Sequence, residues 1–293
     1  MLNTQNVSVA VDLSSTDDKV LRYIQFLADK LNIKRLNLIH VIPSLLSPGN
    51  ADWEMHEILG PGYNLKGKIK DQLLTKTEFL FQKEIFTEVE IVEGNPFREM
   101  IIAAENLDSN LVVVGRKEKS EGSGITAQRI ARNFSGNVLF VPAKAPLKIN
   151  RISVPLDFSE NSARALKEAL YLSKEIKNCS VRCIHIVNTA PANYYLDLKT
   201  RNQLDHQFLQ SAKMAWDVFI EKNDFKKKEV PIDFIQKTNE NSSKILSNYF
   251  EDQKSDLIVM GAKGHTAFEN FLYGSVTENF VDSFHSCPVM IVR

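Results

Sequence analysis

Three of the chain's 12 glycines, Gly261, Gly264 and Gly274, fall in one stretch, LIVMGAKGHTAFENFLYGSVTENF, residues 257–280. Gly261 and Gly264 would let a backbone approach a ligand closely or take positive φ, and Gly274-Ser275 opens a helix that begins VTENF. The amides at a helix start carry the positive end of its dipole and suit a phosphate. The Val276 amide lies there, Ser275 and Thr277 add hydroxyls, and Lys263 can add a cation. The chemistry implied is the holding of an anion rather than the making of bonds. Readings that need no ligand stand beside it: Ser275 with Glu278 spells a capping box, and Gly261 can serve as a strand-to-loop turn.

The elements that must position these residues are legible from an internal repeat. SVAVDLSS (8–15) resembles SVPLDFSE (153–160), and NLIHVIP (37–43) resembles RCIHIVN (182–188). Asp12 and His40 are 28 positions apart, as are Asp157 and His185. LVVVG (111–115) then matches LIVMG (257–261), and NVLFVP (137–142) matches PVMIVR (288–293). The offset grows from 145 to 146 to 151, so repeat 2 carries five extra residues inside its glycine-bearing stretch. The joint near Ala145-Pro146-Leu147 predicts domains at 1–146 and 147–293.

In repeat 2 the strand candidates are 152–156, 181–187, 232–235, 257–260 and 289–292. Between the first two, Ala163, Leu166, Ala169, Leu170 and Leu172 recur at helical spacing behind Ser159, a good N-cap. Nearly continuous apolar strands separated by helices predict a doubly wound α/β fold with a parallel sheet in each repeat. The last strands, VLFV and VMIV, would be exposed apolar edges, and pairing them predicts an intrachain pseudo-dimer. Ligands of such sheets bind outside the carboxyl ends of the strands, where Asp157 and Gly261 both lie. Pro155 in a central strand removes a ladder donor, unless pairing has already stopped there.

Composition narrows the partners. Thirty-six basic residues balance thirty-six acidic ones, so no global field attracts nucleic acid or an anionic membrane. Three cysteines are too few for a disulfide framework, and no apolar run approaches the ~20 residues of a membrane span; a cytoplasmic protein is expected. Gly62 followed by Gly67-Lys68 is nearly a P-loop, but Ile69 replaces the metal-ligating hydroxyl, and no strand pattern precedes it. Cys183 with His185, and His285 with Cys287, lack zinc-motif spacing, so no metal site is expected from protein ligands alone. The lysine-rich run 222–230 reads as a solvated helix end or loop, and the apolar spacing within 193–220 as packing.

Glycine, two residues, glycine, nine residues, Gly-Ser is similar to the signature of the ATP-binding branch of the universal stress proteins. PLDFSENS and IHI resemble that family's first and second strands. The resemblance spans the whole chain as a tandem member and implies sheets of order 3-2-1-4-5 paired through their fifth strands. It implies that Asp157 and the Ile186 backbone hold adenine, with Pro155 nearby, and that Gly261 and Gly264 line the ribose and phosphates. Gly274, Ser275 and the Val276 amide would take the phosphates, with Mg²⁺ or Mn²⁺ bridging them and Thr277 close by. Lys263 and His265 occupy variable positions.

Repeat 1 departs from this pattern, with Ala10 for the proline, Glu118 at the second glycine, and Ser123-Gly124 reversing Gly274-Ser275. A carboxylate facing phosphates is repulsive, so repeat 1 is not expected to bind ATP as repeat 2 does. The function expected is ATP in repeat 2 acting as a conformational signal read by a protein partner in a stress response, with further homodimerisation open. No catalytic residue is assigned, since no general base lies at useful spacing. The alternatives are a slow ATPase or phosphotransfer enzyme and a nucleotide-free interaction scaffold.

Overall fold

Short apolar strands alternate with amphipathic helices along the chain, and the computed structural model shows where each forms. It describes residues 5–43, 64–81, 85–116, 124–189, 197–237, 239–263 and 274–293. The first repeat contributes β1 (Asn6–Val11), α1 (Ser15–Ala28), β2 (Arg35–Pro43), α2 (Leu65–Leu80), β3 (Phe86–Gly94), α3 (Pro96–Asn106), β4 (Leu111–Arg116), α4 (Ile125–Asn133) and β5 (Asn137–Pro142). The second contributes β6 (Arg151–Pro155), α5 (Glu160–Glu175), β7 (Ser180–Val187), α6 (Leu198–Lys222), β8 (Ile232–Gln236), α7 (Ser242–Asp252), β9 (Leu257–Gly261), α8 (Ser275–Ser283) and β10 (Val289–Val292).

Local chemistry explains the helix starts. Ser14 caps α1 by accepting the Thr16 N–H, and Ser159 caps α5 by accepting that of Ser162. Each cap is worth about 1 kcal/mol. On α5, Ala165, Leu166, Ala169 and Leu172 turn inward at the spacing of one helix face and are wholly buried. Truncating Leu166 to alanine should cost about 2–5 kcal/mol.

The strands form one ten-stranded sheet in the order β3-β2-β1-β4-β5-β10-β9-β6-β7-β8. This corrects the expectation of two separate five-stranded sheets joined as a pseudo-dimer. The physical reason lies in the fifth strand of each repeat. Val138–Val141 and Val289–Val292 are apolar and buried along their length, so neither can end a sheet at solvent. Registered pairs among β1 to β5 and among β6 to β9 are parallel. By internal contacts the chain divides into residues 1–148 with 285–290, and residues 149–284 with 291–293.

Among the described residues no helix is long and apolar enough to cross a membrane. The near P-loop is not a phosphate cradle. Gly67 and Lys68 lie in the first turn of α2, where the Asn64 side chain accepts the Gly67 N–H at 2.7 Å. Gly62 lies outside the described residues. Of the stretch read as a packing helix, α6 buries only Trp216, Phe219 and Ile220 near its end, and leaves Met214 and Val218 exposed.

Candidate functional site

The carboxyl rim of repeat 2 begins where β6 ends, at Pro155. The chain then turns through Asp157, whose Oδ1 accepts the Ser159 N–H at 3.1 Å. Phe158 follows in the left-handed region, at φ 65°. Its ring stacks on His185 at 4.2 Å and lies beside Trp216 and Phe219 of α6. The His185 Nδ1 lies 2.8 Å from the Leu156 carbonyl, so that nitrogen carries a proton. Burial depresses the His185 pKa, opposed by the Leu156 carbonyl and the Asp157 charge. The neutral ring ties β7 to the turn after β6. Ile186, one residue on, is half-buried and registers with Ile235 of β8.

Pro155 sets the shape of this rim. Leu156 donates its N–H to Ile184 of β7 at 2.8 Å, so the alternating backbone directs the preceding residue's N–H toward β9. Proline has none to give. Registered pairing of β6 with β9 ends at Ser153↔Ile258, whereas in repeat 1 the matching β1–β4 ladder runs on to Ala10↔Val114. The pairing that stops is therefore on the β9 side only, and the ladder to β7 reaches Pro155↔Ile184.

Across that gap lies Gly261. A side chain there would bring its Cβ within 2.8 Å of the Asn161 backbone carbon and 2.9 Å of its oxygen. Only glycine admits the start of α5 so close to the end of β9, a packing reason that the strand-end reading did not contain. Beyond it, the Gly274 N–H donates to the Ala262 carbonyl at 2.8 Å, and the Thr277 hydroxyl donates to the Gly261 carbonyl at 3.1 Å. These two bonds fix the first turn of α8 against the end of β9. The N-cap is Gly274, in extended conformation and with no side-chain cap, so the Ser275–Glu278 capping box does not form. Ser275 and Val276 are exposed, Thr277 is buried, and Lys263 is half-buried at the end of β9. The structure thus brings Gly261, Gly274, Ser275, Val276 and Thr277 together. Gly264 and His265 lie outside the described residues.

The same elements appear in known proteins. The model of the universal stress protein family matches residues 3–142 and again 148–293. The chain belongs to the universal stress protein family. It holds two universal stress domains in tandem. It is similar to universal stress protein MJ0531 of Methanocaldococcus jannaschii, 28% identical over 49% of this chain and 81% of that protein. Universal stress protein YxiE of Bacillus subtilis is 27% identical over 49% of this chain and 99% of that protein. A solved universal stress protein from Archaeoglobus fulgidus shares the fold over 99% of both chains, with a TM-score of 0.65 at 18% identity.

The first universal stress domain builds its rim with different residues. Its turn repeats the left-handed step at Leu13, φ 65°, and His40 Nδ1 meets the Val11 carbonyl at 2.9 Å. The helix that follows carries Asp17 where repeat 2 has Ser162. Asp17 is buried and accepts the N–H groups of Leu13 at 2.7 Å and Asp12 at 3.3 Å. Burial, with the neighbouring Asp12 charge, pushes its pKa up to about 6. Sequence reasoning passed over Asp17, although an acid at a position occupied by serine in the other repeat was a visible signal. α4 starts behind Gly124 at φ 65°, one residue later than the alignment with α8 implies. Glu118 lies outside the described residues.

Among the described residues no cluster of three or more His, Cys, Asp or Glu could hold a metal ion. Cys183 is fully buried, and burial raises its thiol pKa. His285 instead meets the Arg116 guanidinium at 3.3 Å.

Proposed function

We propose that the second universal stress domain, 147–293, binds ATP as a regulatory ligand and that the first, 1–146, does not. Asp157 and the Ile186 backbone would hold the adenine beside Pro155. Gly261 and Gly264 would line the ribose and phosphates, with Lys263 adding a charge, and Gly274, Ser275 and the Val276 amide would receive the phosphates, with Thr277 close by. The observation that carries this reading is the start of α8, whose N-cap supplies no side-chain acceptor and whose first turn is tied to the end of β9. Amides held there without a cap favour an anion. The opened ladder beside Pro155 adds a crevice at the sheet's switch point.

The residues fit a metal held chiefly by the nucleotide. Mg²⁺ or Mn²⁺ bound to the phosphates would neutralise their charge, with Thr277 and Ser275 near. Thr277 already donates to the Gly261 carbonyl, so it positions the helix rather than a nucleophile. ATP would act there as a signal rather than as the substrate of fast chemistry. ATP seated at the start of α8 would change a surface that a protein partner reads in a stress response.

Mass spectrometry of small molecules released from the purified protein, followed by calorimetry of the stripped chain with Mg·ATP, tests this. ATP recovered or bound at one site per chain is expected. No nucleotide by either method leaves the scaffold reading, and rapid turnover of ATP leaves the enzymatic one.

A further inference from the structure

In repeat 2 the start of α5 and the end of α6 leave a groove of about 290 Å³ between them. Phe158, Ala163 and Phe219 give it an apolar floor, and Val218 forms a lip. Repeat 1 shows why the groove is open. There Lys76 of α2 donates to Asp18 of α1 at 2.8 Å, and Gln25 of α1 donates to the Leu80 carbonyl at 2.7 Å, so the two helices are laced together. By the offset of 145 that relates the first strands, Ala163 stands where repeat 1 has Asp18, and Leu170 where it has Gln25. Neither side chain can form such a bond.

The lip is apolar and in water. Val218 is 64% exposed, and Met214, one turn back on the same side of α6, is 69% exposed. Three cations stand around the groove, Arg164, Lys167 and Lys222, against one carboxylate, Glu160. Lys167 lies over the Phe225 ring at 6.0 Å, while Arg164 and Lys222 have no ion pair among the described residues. Asp217, beside the lip, is already taken by Lys227. The volume sits at the lower edge of the ~300–1,000 Å³ of small-ligand pockets. It suits side chains presented by another helix better than a whole ligand.

We propose that this groove docks an acidic amphipathic helix of a protein partner. The partner's apolar residues at i, i+3, i+4 and i+7 lie on Met214, Val218 and the floor, and its carboxylates meet Arg164, Lys167 and Lys222. Apolar contact supplies most of the affinity, and the cations on the rim select an acidic partner and speed its encounter. None of these residues is among those proposed to hold ATP, so the surface stands whether or not repeat 2 binds a nucleotide.

Fluorescence anisotropy of the full chain with three labelled peptides of about 18 residues, cross-linked to stay helical, tests this. One carries leucine at i, i+3, i+4 and i+7 with glutamate on its flanks, one scrambles that composition, and one has lysine in place of glutamate. The acidic amphipathic peptide should bind about tenfold or more tighter than either control and weaken as salt is added. Hydrogen exchange should place its protection at residues 158–167 and 214–223. Val218→Glu, at an exposed position, should weaken binding about tenfold or more with an unchanged circular dichroism spectrum, and Arg164→Glu with Lys222→Glu should turn the preference toward the lysine peptide. Equal binding of the three peptides, no binding at about 100 μM, or protection away from the groove overturns the proposal. So does a dimer of the chain that Val218→Glu dissolves, or binding to phosphatidylglycerol vesicles in preference to the acidic peptide.

Discussion

The turns after the first strand of each repeat, DLSSTDD and DFSENSA, have one backbone path and opposite chemistry. Both pass through a left-handed residue, Leu13 and Phe158, and both are tied by a histidine to the strand carbonyl. In repeat 1 the following helix sends the Asp17 carboxylate back to brace the turn. In repeat 2 Ser162 braces only its own helix start, through the Ser159 hydroxyl and carbonyl. Both halves leave the helix after the fourth strand without a side-chain cap, but one half sets a buried carboxylate in the turn after its first strand and the other an opened ladder beside it. A duplicated backbone fixes where a site can be, and a few side chains decide what charge it accepts.

The comparison breaks most completely at position 264. Gly264→Glu, which gives repeat 2 the residue type of Glu118, should weaken ATP binding by about 100-fold or more through like-charge repulsion, with an unchanged circular dichroism spectrum. Undiminished affinity would remove Gly264 from the site.

A second test concerns charge in repeat 1. Burial and Asp12 raise Asp17 in the folded chain to about 6 from 3.8. Its contribution to stability is present below the unfolded pKa and lost as pH rises through about 6, amounting to at most about 3 kcal/mol. Urea denaturation of Asp17→Asn beside the native chain should show the variant gaining relative stability between about pH 4 and pH 7. A constant difference across that window would contradict the raised pKa.

The two strand-end glycines sharpen the comparison further. At Gly261 an added Cβ meets Asn161 backbone atoms at 2.8 and 2.9 Å, while at Gly115 it meets Thr16 and Val20 methyls at 3.0 and 3.1 Å. Methyls can shift and a helix backbone cannot readily do so. Gly261→Ala should cost about 2–3 kcal/mol in denaturation, and Gly115→Ala about 1 kcal/mol. The reverse order would argue against the close approach of α5.

The smallest effect is expected at Pro155. Pro155→Ala restores an N–H on the β9 side, so the new amide at position 155 should be protected from hydrogen exchange and ATP affinity should fall about threefold, roughly 0.6 kcal/mol. Fast exchange of that amide would mean that proline does not end the ladder.

Much of the architecture was legible because repetition doubled the signal. The five strands of repeat 2 fall within a residue or two of the pattern-based ranges, and Ser159 is the cap its spacing implied. The joining of the strands into one sheet was not legible, since pattern reports which strands are buried but not how far a ladder continues. The capping box failed because Ser275 and Glu278 satisfy a local motif, whereas the bonds from Gly274 and Thr277 to the end of β9 are tertiary. Gly67-Lys68, set aside as a P-loop on its sequence, has its glycine amide taken by Asn64 in the first turn of α2. The brace in repeat 1 required the backbone, because the Asp17 carboxylate reaches the amides of Asp12 and Leu13 only through the left-handed turn at Leu13.

Amide hydrogen exchange of the full chain with and without Mg·ATP compares the two helix starts in one experiment. The account predicts marked protection at residues 275–280 and none at the matching start of α4, residues 125–130. No protection at either helix, or equal protection at both, contradicts it.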